Sequence, residues 1–395
     1  MMIFKLANVI QNYAWGSRIA LNALFGFDNP NNEPQAELWM GAHPSGGSHL
    51  GALDVSLADY VAKEPKRVLG DYTATRYGEL PYLCKILAAD TPLSIQVHPS
   101  KRNSELGFER ENAQGIELTA ANRNYKDPNH KPELVYAISV YKAMNGFRPF
   151  ADILALLAEV QIPALASEVE AFKLSPNAAG LKSLFTSLLT LEGDKKQQVL
   201  AQLSDNYSRI DVSAMAKQAL EYSEYFAKLY PGDNGLLAPL ILNIVELQPG
   251  EAMFLHAETP HAYVQGTALE VMASSDNVLR AGLTPKHIDV TELVANTRFE
   301  PIPPSHLLTE PFKREGHFHF PVPVDDFRFD VLETTEANKR MFVRSAEIVF
   351  CIEGEVTISA HHTHVTLHAG ESVFIPCEAL EYTCHGKGRL ARVSN

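Results

Sequence analysis

The spacing of apolar side chains divides the chain into three textures. Up to residue 148, short apolar runs alternate with turn clusters such as Asn29-Pro30-Asn31-Asn32, Pro44-Ser45-Gly46-Gly47 and Asp127-Pro128-Asn129. Such runs, broken by Pro, Gly and Asn, predict strands joined by tight turns. From Phe150 to Tyr230 glycine is scarce, and Ala, Leu, Lys, Glu and Gln dominate. Ile153, Leu156, Leu157 and Val160 fall on one helical face, as do Leu181, Leu184, Phe185, Leu188 and Leu189. Met215, Ala219, Tyr222, Phe226 and Leu229 repeat by fours and threes, which predicts an amphipathic helix opened by Asp211 or Ser213. The block reads as a helical insertion or lid.

Pro231-Gly232-Asp233-Asn234-Gly235 ends the helical pattern, and strands are expected to resume at Leu236. Leu240 to Leu247, the turn Gln248-Pro249-Gly250, and Glu251 to Leu255 form a strand, turn and strand. Near the C-terminus, Glu355 to Ser359 and Thr363 to Leu367 alternate apolar and polar residues, a hairpin with His361 and His362 near its tip. The segments 249–254 and 369–374 look like a repeat of the strand-turn element of cupin barrels. The predicted fold is mainly β with an α-helical insertion: two cupin-type, jelly-roll β-barrels plus a helical domain. One larger sandwich is the alternative. The expected boundaries are 1–149 with 231–310 for a barrel that carries a metal site, 150–230 for the helices, and 311–395 for a metal-free barrel.

Composition narrows the function. The formal net charge is −13, so the average field repels nucleic acid and anionic membranes. A small anionic substrate would need a local basic pocket. The longest apolar stretch, Leu236 to Val245, contains Pro239 and Asn243 and is too short to span a bilayer. The N-terminus lacks the cationic start and long apolar run of a secretory leader. Cys84, Cys351, Cys377 and Cys384 form no C-x-x-C pair, which fits a reduced, cytoplasmic setting.

Four clusters carry candidate chemistry. In Leu93-Ser94-Ile95-Gln96-Val97-His98, the period of two places Ser94, Gln96 and His98 on one strand face and the apolar residues on the other. The preceding apolar strand, Pro81 to Leu87, carries one cation, Lys85, which requires a partner. Asp127 to Glu133 packs His130, Lys131 and Glu133 into a proline-stiffened loop. Glu258-Thr259-Pro260-His261 follows an apolar strand, and Glu270, Asp276, Arg280 and Lys286 lie within one short segment. Each cluster alone also fits a solvated loop or strand face. Together they supply two imidazoles, a carboxylate and an amide oxygen for a metal, a set suited to zinc, plus several cations. His361, His362, His364 and His368, by contrast, read as solvated hairpin histidines, and His317-Phe318-His319 as a short alternating strand.

Longer segments carry a resemblance. QNYAWG (11–16), PQAELWMGAHPSG (34–46), LPYLCKIL (80–87), PLSIQVHPSK (92–101), DPNHKPE (127–133), MNGFR (144–148), GEAMFLHAETPHAY (250–263) and ALEVMASSDNVLRAGLTPK (268–286) closely resemble type I phosphomannose isomerases of the cupin superfamily. The resemblance implies a zinc-dependent aldose–ketose isomerase that interconverts mannose 6-phosphate and fructose 6-phosphate through a cis-enediol. It places the zinc ligands at Gln96, His98, Glu133 and His261, with one zinc per chain, and the catalytic arginine at Arg280. Its substrate pocket falls on Trp15, Glu37, Lys85, Ser94, Lys131, Tyr263, Glu270 and Lys286. Ser94 with Lys85, Lys131 and Lys286 would clamp the phosphate. Glu270, Asp276 and His130 compete for the role of base, with Glu270 narrowly preferred. The expected partner is a small-molecule sugar phosphate, and the chain is expected to act as a monomer. Rival readings are a regulatory cupin that binds sugar phosphate and another metal-dependent cupin enzyme, an iron-dependent oxygenase or a different isomerase.

Overall fold

A computed structural model describes residues 3–51 and 53–395 of the chain. The described strands form two antiparallel sheets, one of ten strands and one of twelve, with helices inserted between strands of the first. The fold is mostly sheet with a helical insertion domain, as the apolar spacing predicts. No pairing among the described strands closes either sheet into a complete ring.

The ten-stranded sheet is organised by one long strand, His261–Ala273. Successive parts of it pair with Tyr82–Ala89, Glu133–Ala137, Tyr141–Phe147 and Ile95–Val97. Its register slips between Tyr263 and Gln265. Gly266 follows at φ +116, where an added Cβ would lie 2.3 Å from the Val140 carbonyl oxygen. The slip shifts the inward-facing phase of the strand, a common use of a bulge near a site. His261 and Tyr263 before the slip, and Glu270 after it, therefore reach one interior.

The helical block consists of Phe150–Val160, Ala166–Leu174, Ala178–Leu189, Gly193–Asp205 and Ala214–Leu229. Ile153, Leu156, Leu157 and Val160 are all buried, as are Leu181, Leu184, Phe185 and Leu188. These side chains share one core with Ile95, Val97, Met144 and Phe147 of the sheet. Burying each large apolar side chain contributes about 1.5–3 kcal/mol, so the helices anchor the strand that bears Gln96 from behind. The helix Ala214–Leu229 is capped by Ser213, whose side chain accepts from the Ala216 N–H. Leu229, expected on its buried face, is 40% exposed, and Leu220 is buried instead.

Several expectations require correction. Strand does not resume at Leu236: Asn234–Leu240 is a 3₁₀ helix capped by Asp233, and the strand begins at Leu242. The region before residue 148 is not all strand, because Lys101–Ala113 forms a helix. Its buried positions are Ser104, Gly107 and Glu111, so it carries no apolar stripe for a periodicity argument to find. The N-terminal strand Phe4–Ala7 pairs with Ser372–Ile375 and with His49–Leu50 in the twelve-stranded sheet, whereas Val9–Gln11 just after it joins the ten-stranded sheet.

The rest of the twelve-stranded sheet comes mainly from residues 312–394. Glu347–Ala360 and Thr363–His368 form the predicted hairpin, with His361 and His362 exposed at its tip. Among the described residues, no helix is long and apolar enough to cross a membrane.

Candidate metal centre and active-site cavity

The strand pairings bring the separated clusters together. Gln96 stands opposite His261 on one neighbouring strand and opposite Arg280 on the other. Directly opposed residues in antiparallel strands place their Cβ atoms about 5 Å apart on one face. Glu133 lies on a strand that also pairs with the long central strand, two residues from Val135, the partner of Glu270. Lys85 is opposite Glu270 on the far side. Ile95 and Val97 point into the helical core, leaving Gln96 and Ser94 facing a cavity of about 370 Å³.

At the floor of this cavity, His98, Glu133 and His261 present ligand atoms all within 4.8 Å of one another. His98 Nε2 lies 3.2 Å from Glu133 Oε1, and His261 Nε2 lies 3.6 Å from Oε2. Neither Nε2 makes a hydrogen bond with any described residue, although both are buried. The opposite ring nitrogens are held: His98 Nδ1 is 2.7 Å from the Asn277 carbonyl oxygen, and His261 Nδ1 is 2.9 Å from that of Thr259. A backbone acceptor at Nδ1 fixes the tautomer that leaves the Nε2 lone pair free, the usual outer support of a metal-bound imidazole.

Burial holds the His98 imidazole below its ordinary pKa, with Lys131 adding to the effect. Burial likewise lowers His261 to about 4, despite the neighbouring Glu133. Both rings are therefore neutral at pH 7. Burial alone would raise Glu133, but Lys131 and the two histidines outweigh it and hold the carboxyl well below the usual range. Two neutral imidazoles and one carboxylate, with the amide of Gln96 on the same face, fit a divalent zinc ion.

Glu133 is also bound on its outer side. Lys131 Nζ lies 2.9 Å from Oε1, and the Tyr263 hydroxyl donates to Oε2 at 2.5 Å. Beside it, the buried Lys85 ammonium lies 3.5 Å from Glu37 and 3.6 Å from Glu270, and 4.7 Å from the Trp39 ring centroid. Burial pushes the Glu270 carboxyl up to about 7, with the charge of Glu133 adding to the rise and Lys85 opposing it. Asp276 moves the other way. A hydrogen bond from His43, at 3.4 Å, is the largest cause of its lowered pKa.

Trp15, Glu37, Lys85, Ser94, Gln96, Lys131, Glu133, Tyr263, Glu270, Asp276, Arg280 and Lys286 all line the cavity. His98 and His261 lie just beneath it, against Glu133. His130 is the exception. Its Nε2 lies 2.9 Å from Asp326, a residue beyond the ten-stranded sheet, and it is not part of the cavity wall. The loop turns here because Asn277 binds Lys126 N–H and the Asp127 and Asn129 carbonyls, which directs Lys131 inward and its neighbour outward.

Three models of known families match the chain. "Phosphomannose isomerase type I, catalytic domain" matches residues 3–150, the helical insertion domain of the same type matches 156–242, and "Mannose-6-phosphate isomerase, cupin domain" matches 317–395. The mannose-6-phosphate isomerase of Salmonella typhimurium is 50% identical over 394 residues, which covers 99% of each chain. The chain belongs to the mannose-6-phosphate isomerase family. The human member is 34% identical over 94% of this chain and 93% of its own. A solved structure of zinc-bound mannose 6-phosphate isomerase covers all of both chains at 50% identity, with a TM-score of 0.94.

Within this member of the family, sequence reasoning missed several cavity residues. Tyr13, Trp39, Lys126, Tyr230 and Thr284 also line the wall. Trp39 was within reach of the argument, since it shares a strand face with Glu37 and stands opposite Lys85. Tyr230 was not. It lies at the end of a helix and enters through tertiary packing, with its hydroxyl donating to the Pro92 carbonyl at 2.9 Å.

Proposed function

We propose that the protein is a zinc-dependent mannose-6-phosphate isomerase that interconverts mannose 6-phosphate and fructose 6-phosphate. The observation that carries the proposal is the pair of buried Nε2 atoms without a hydrogen bond among the described residues, aimed with Glu133 at one point, in a cavity whose wall includes Lys85, Lys126, Lys131, Arg280 and Lys286. Gln96, His98, Glu133 and His261 would hold the ion. When bound, the zinc supplies a positive charge that polarises the sugar's oxygens.

Glu270 serves as the base. Its raised pKa suits proton transfer near neutrality, whereas the lowered pKa of Asp276 makes that carboxylate a weaker acceptor. Glu270 removes the C2 proton of the open-chain aldose, and the electron pair forms C1=C2 as O1 gains a proton. Return of a proton to C1, with loss of the O2 proton, gives the ketose. Lys85 holds Glu270 and Glu37 in place rather than gripping phosphate, and Lys131 likewise serves Glu133. Among the cavity cations, Arg280, Lys126 and Lys286 make no ion pair with any described carboxylate. Lys126, Lys286 and Ser94 therefore form the phosphate end, and Arg280, opposite Gln96, faces the charge that develops on O1 and O2. The helices 150–230 close one side of the catalytic unit formed by 1–149 and 231–310, and the protein works as a cytoplasmic monomer.

A coupled assay that detects fructose 6-phosphate formed from mannose 6-phosphate by the zinc-loaded protein tests this reading directly. Inert zinc-loaded protein would refute it. Arg280→Ala is expected to lower turnover by about a few hundredfold while zinc content, measured by atomic emission, stays at the wild-type level. Near-normal turnover would remove Arg280 from the mechanism.

A further inference from the structure

Two of the three free cations of the cavity, Arg280 and Lys286, stand on a segment whose backbone is constrained from outside the cavity. Arg280 lies on the strand Leu279–Gly282, and Thr284 and Lys286 follow within six residues of it. Between them the chain is unusual. Gly282 has φ +134, and Leu283, fully buried, has φ +52. A non-glycine residue in the left-handed region costs about 1–3 kcal/mol and persists only where its surroundings enforce it.

The enforcing group is Asp233, in the turn by which the chain leaves the helical block. Asp233 Oδ1 accepts the Leu283 N–H at 2.9 Å and the Gly235 N–H at 2.7 Å, while Oδ2 lies 3.3 Å from the Thr284 N–H as its acceptor. One side chain thus caps the 3₁₀ helix Asn234–Leu240 and fastens the loop that carries the cations. The fit leaves no spare room. An added Cβ at Gly282 would lie 2.8 Å from Gly235 Cα and 3.0 Å from Asp233 Oδ1. Asn234, the next residue, donates to the Leu189 and Leu191 carbonyls of the helical block. A continuous path of hydrogen bonds therefore runs from the helices to the cation-bearing wall.

We propose that Asp233 is a positioning residue that clasps the Leu283–Thr284 backbone and so sets Arg280, Thr284 and Lys286 at the spacing required by a phosphate-bearing sugar. The assignment rests on the reading of the cavity as a sugar-phosphate site. It also gives the helical insertion a role in substrate binding, because the clasp is attached to it. Capping and clasping are separable. A serine at 233 can still cap the 3₁₀ turn, since its hydroxyl reaches the near N–H, but it is too short to reach Leu283 and Thr284. Asparagine retains the length and one acceptor oxygen.

Zinc-loaded wild type, Asp233→Ser and Asp233→Asn should be compared by calorimetric titration with inorganic phosphate, alongside kcat and KM for mannose 6-phosphate. The clasp predicts that Asp233→Ser weakens phosphate binding and raises KM by about tenfold. Its zinc content and melting midpoint should stay near those of the wild type, while kcat falls together with phosphate affinity, because Arg280 stands on the same segment. Asp233→Asn should restore most of the phosphate affinity. Phosphate binding by Asp233→Ser equal to wild type would overturn the proposal, as would a wild type that binds no phosphate. Failure of the isomerase reading would appear separately, as a wild type that does not turn over while the phosphate series still reports on the clasp.

Discussion

His261→Ala is expected to lose its zinc and to turn over at least about a thousandfold more slowly than wild type, because the ion supplies several kcal/mol of charge stabilisation. His261 is fully buried, and its Nε2 has no hydrogen-bond partner among the described residues. A side chain held this way, by the Thr259 carbonyl on one nitrogen and by nothing on the other, is arranged for a ligand rather than for packing. Removing it leaves three of the four proposed ligands, Gln96, His98 and Glu133, and a cavity beside Glu133. Zinc content by atomic emission, turnover, and the melting midpoint together check the outcome. The account predicts loss of metal and activity with a shift of a few degrees in melting. Retained zinc with retained turnover would show that His261 is no ligand.

The second large effect concerns Glu270. Glu270→Gln is expected to lower kcat by about a hundredfold to ten-thousandfold, the usual contribution of a positioned base, without loss of zinc. The pH profile carries the sign. A base must be ionised to accept a proton, so activity falls as pH drops through the Glu270 pKa. Burial and the charge of Glu133 set that pKa at about 7 in the protein alone. A dication on Glu133 compensates part of this charge and lessens the rise. The acidic limb of kcat in the zinc enzyme should therefore lie below 7 and above the ordinary carboxylate range near 4.3. Measured from pH 4.5 to 8, the wild type should show this limb, and Glu270→Gln should lack it. A limb unchanged in the variant would assign it to another group, with Asp276 the first candidate.

The sequence made much of the site legible because its chemistry is carried by short strands. Alternation along Leu93 to His98 separated the apolar face, which the helices cover, from Ser94 and Gln96, which face the cavity. The lone Lys85 in an apolar strand implied a buried partner, and two carboxylates provide it. Helical faces were readable wherever apolar residues recur in the first and third helices of the block. The limits were equally physical. The helix Lys101–Ala113 packs through Ser104, Gly107 and Glu111, with Gly107 giving space to the Tyr125 ring, so no periodicity announces it. Loop direction is set by distant hydrogen bonds. His130 and Lys131 are adjacent, yet Asn277, far along the chain, decides which of them enters the cavity. The slip beside Gly266, which brings His261 and Glu270 into one interior, follows from pairing with a strand more than a hundred residues earlier. The same holds for Asp233, whose bonds to Leu283 and Thr284 join two turns that are distant in sequence.

The central claim is that one zinc ion, held by Gln96, His98, Glu133 and His261, is required for sugar-phosphate isomerisation. Titrating zinc into chelator-stripped protein, while following conversion of mannose 6-phosphate to fructose 6-phosphate, tests it most directly. The account predicts negligible turnover without metal and a linear rise that saturates at one zinc per chain. Full turnover by the stripped protein, or zinc binding that restores none, would contradict it.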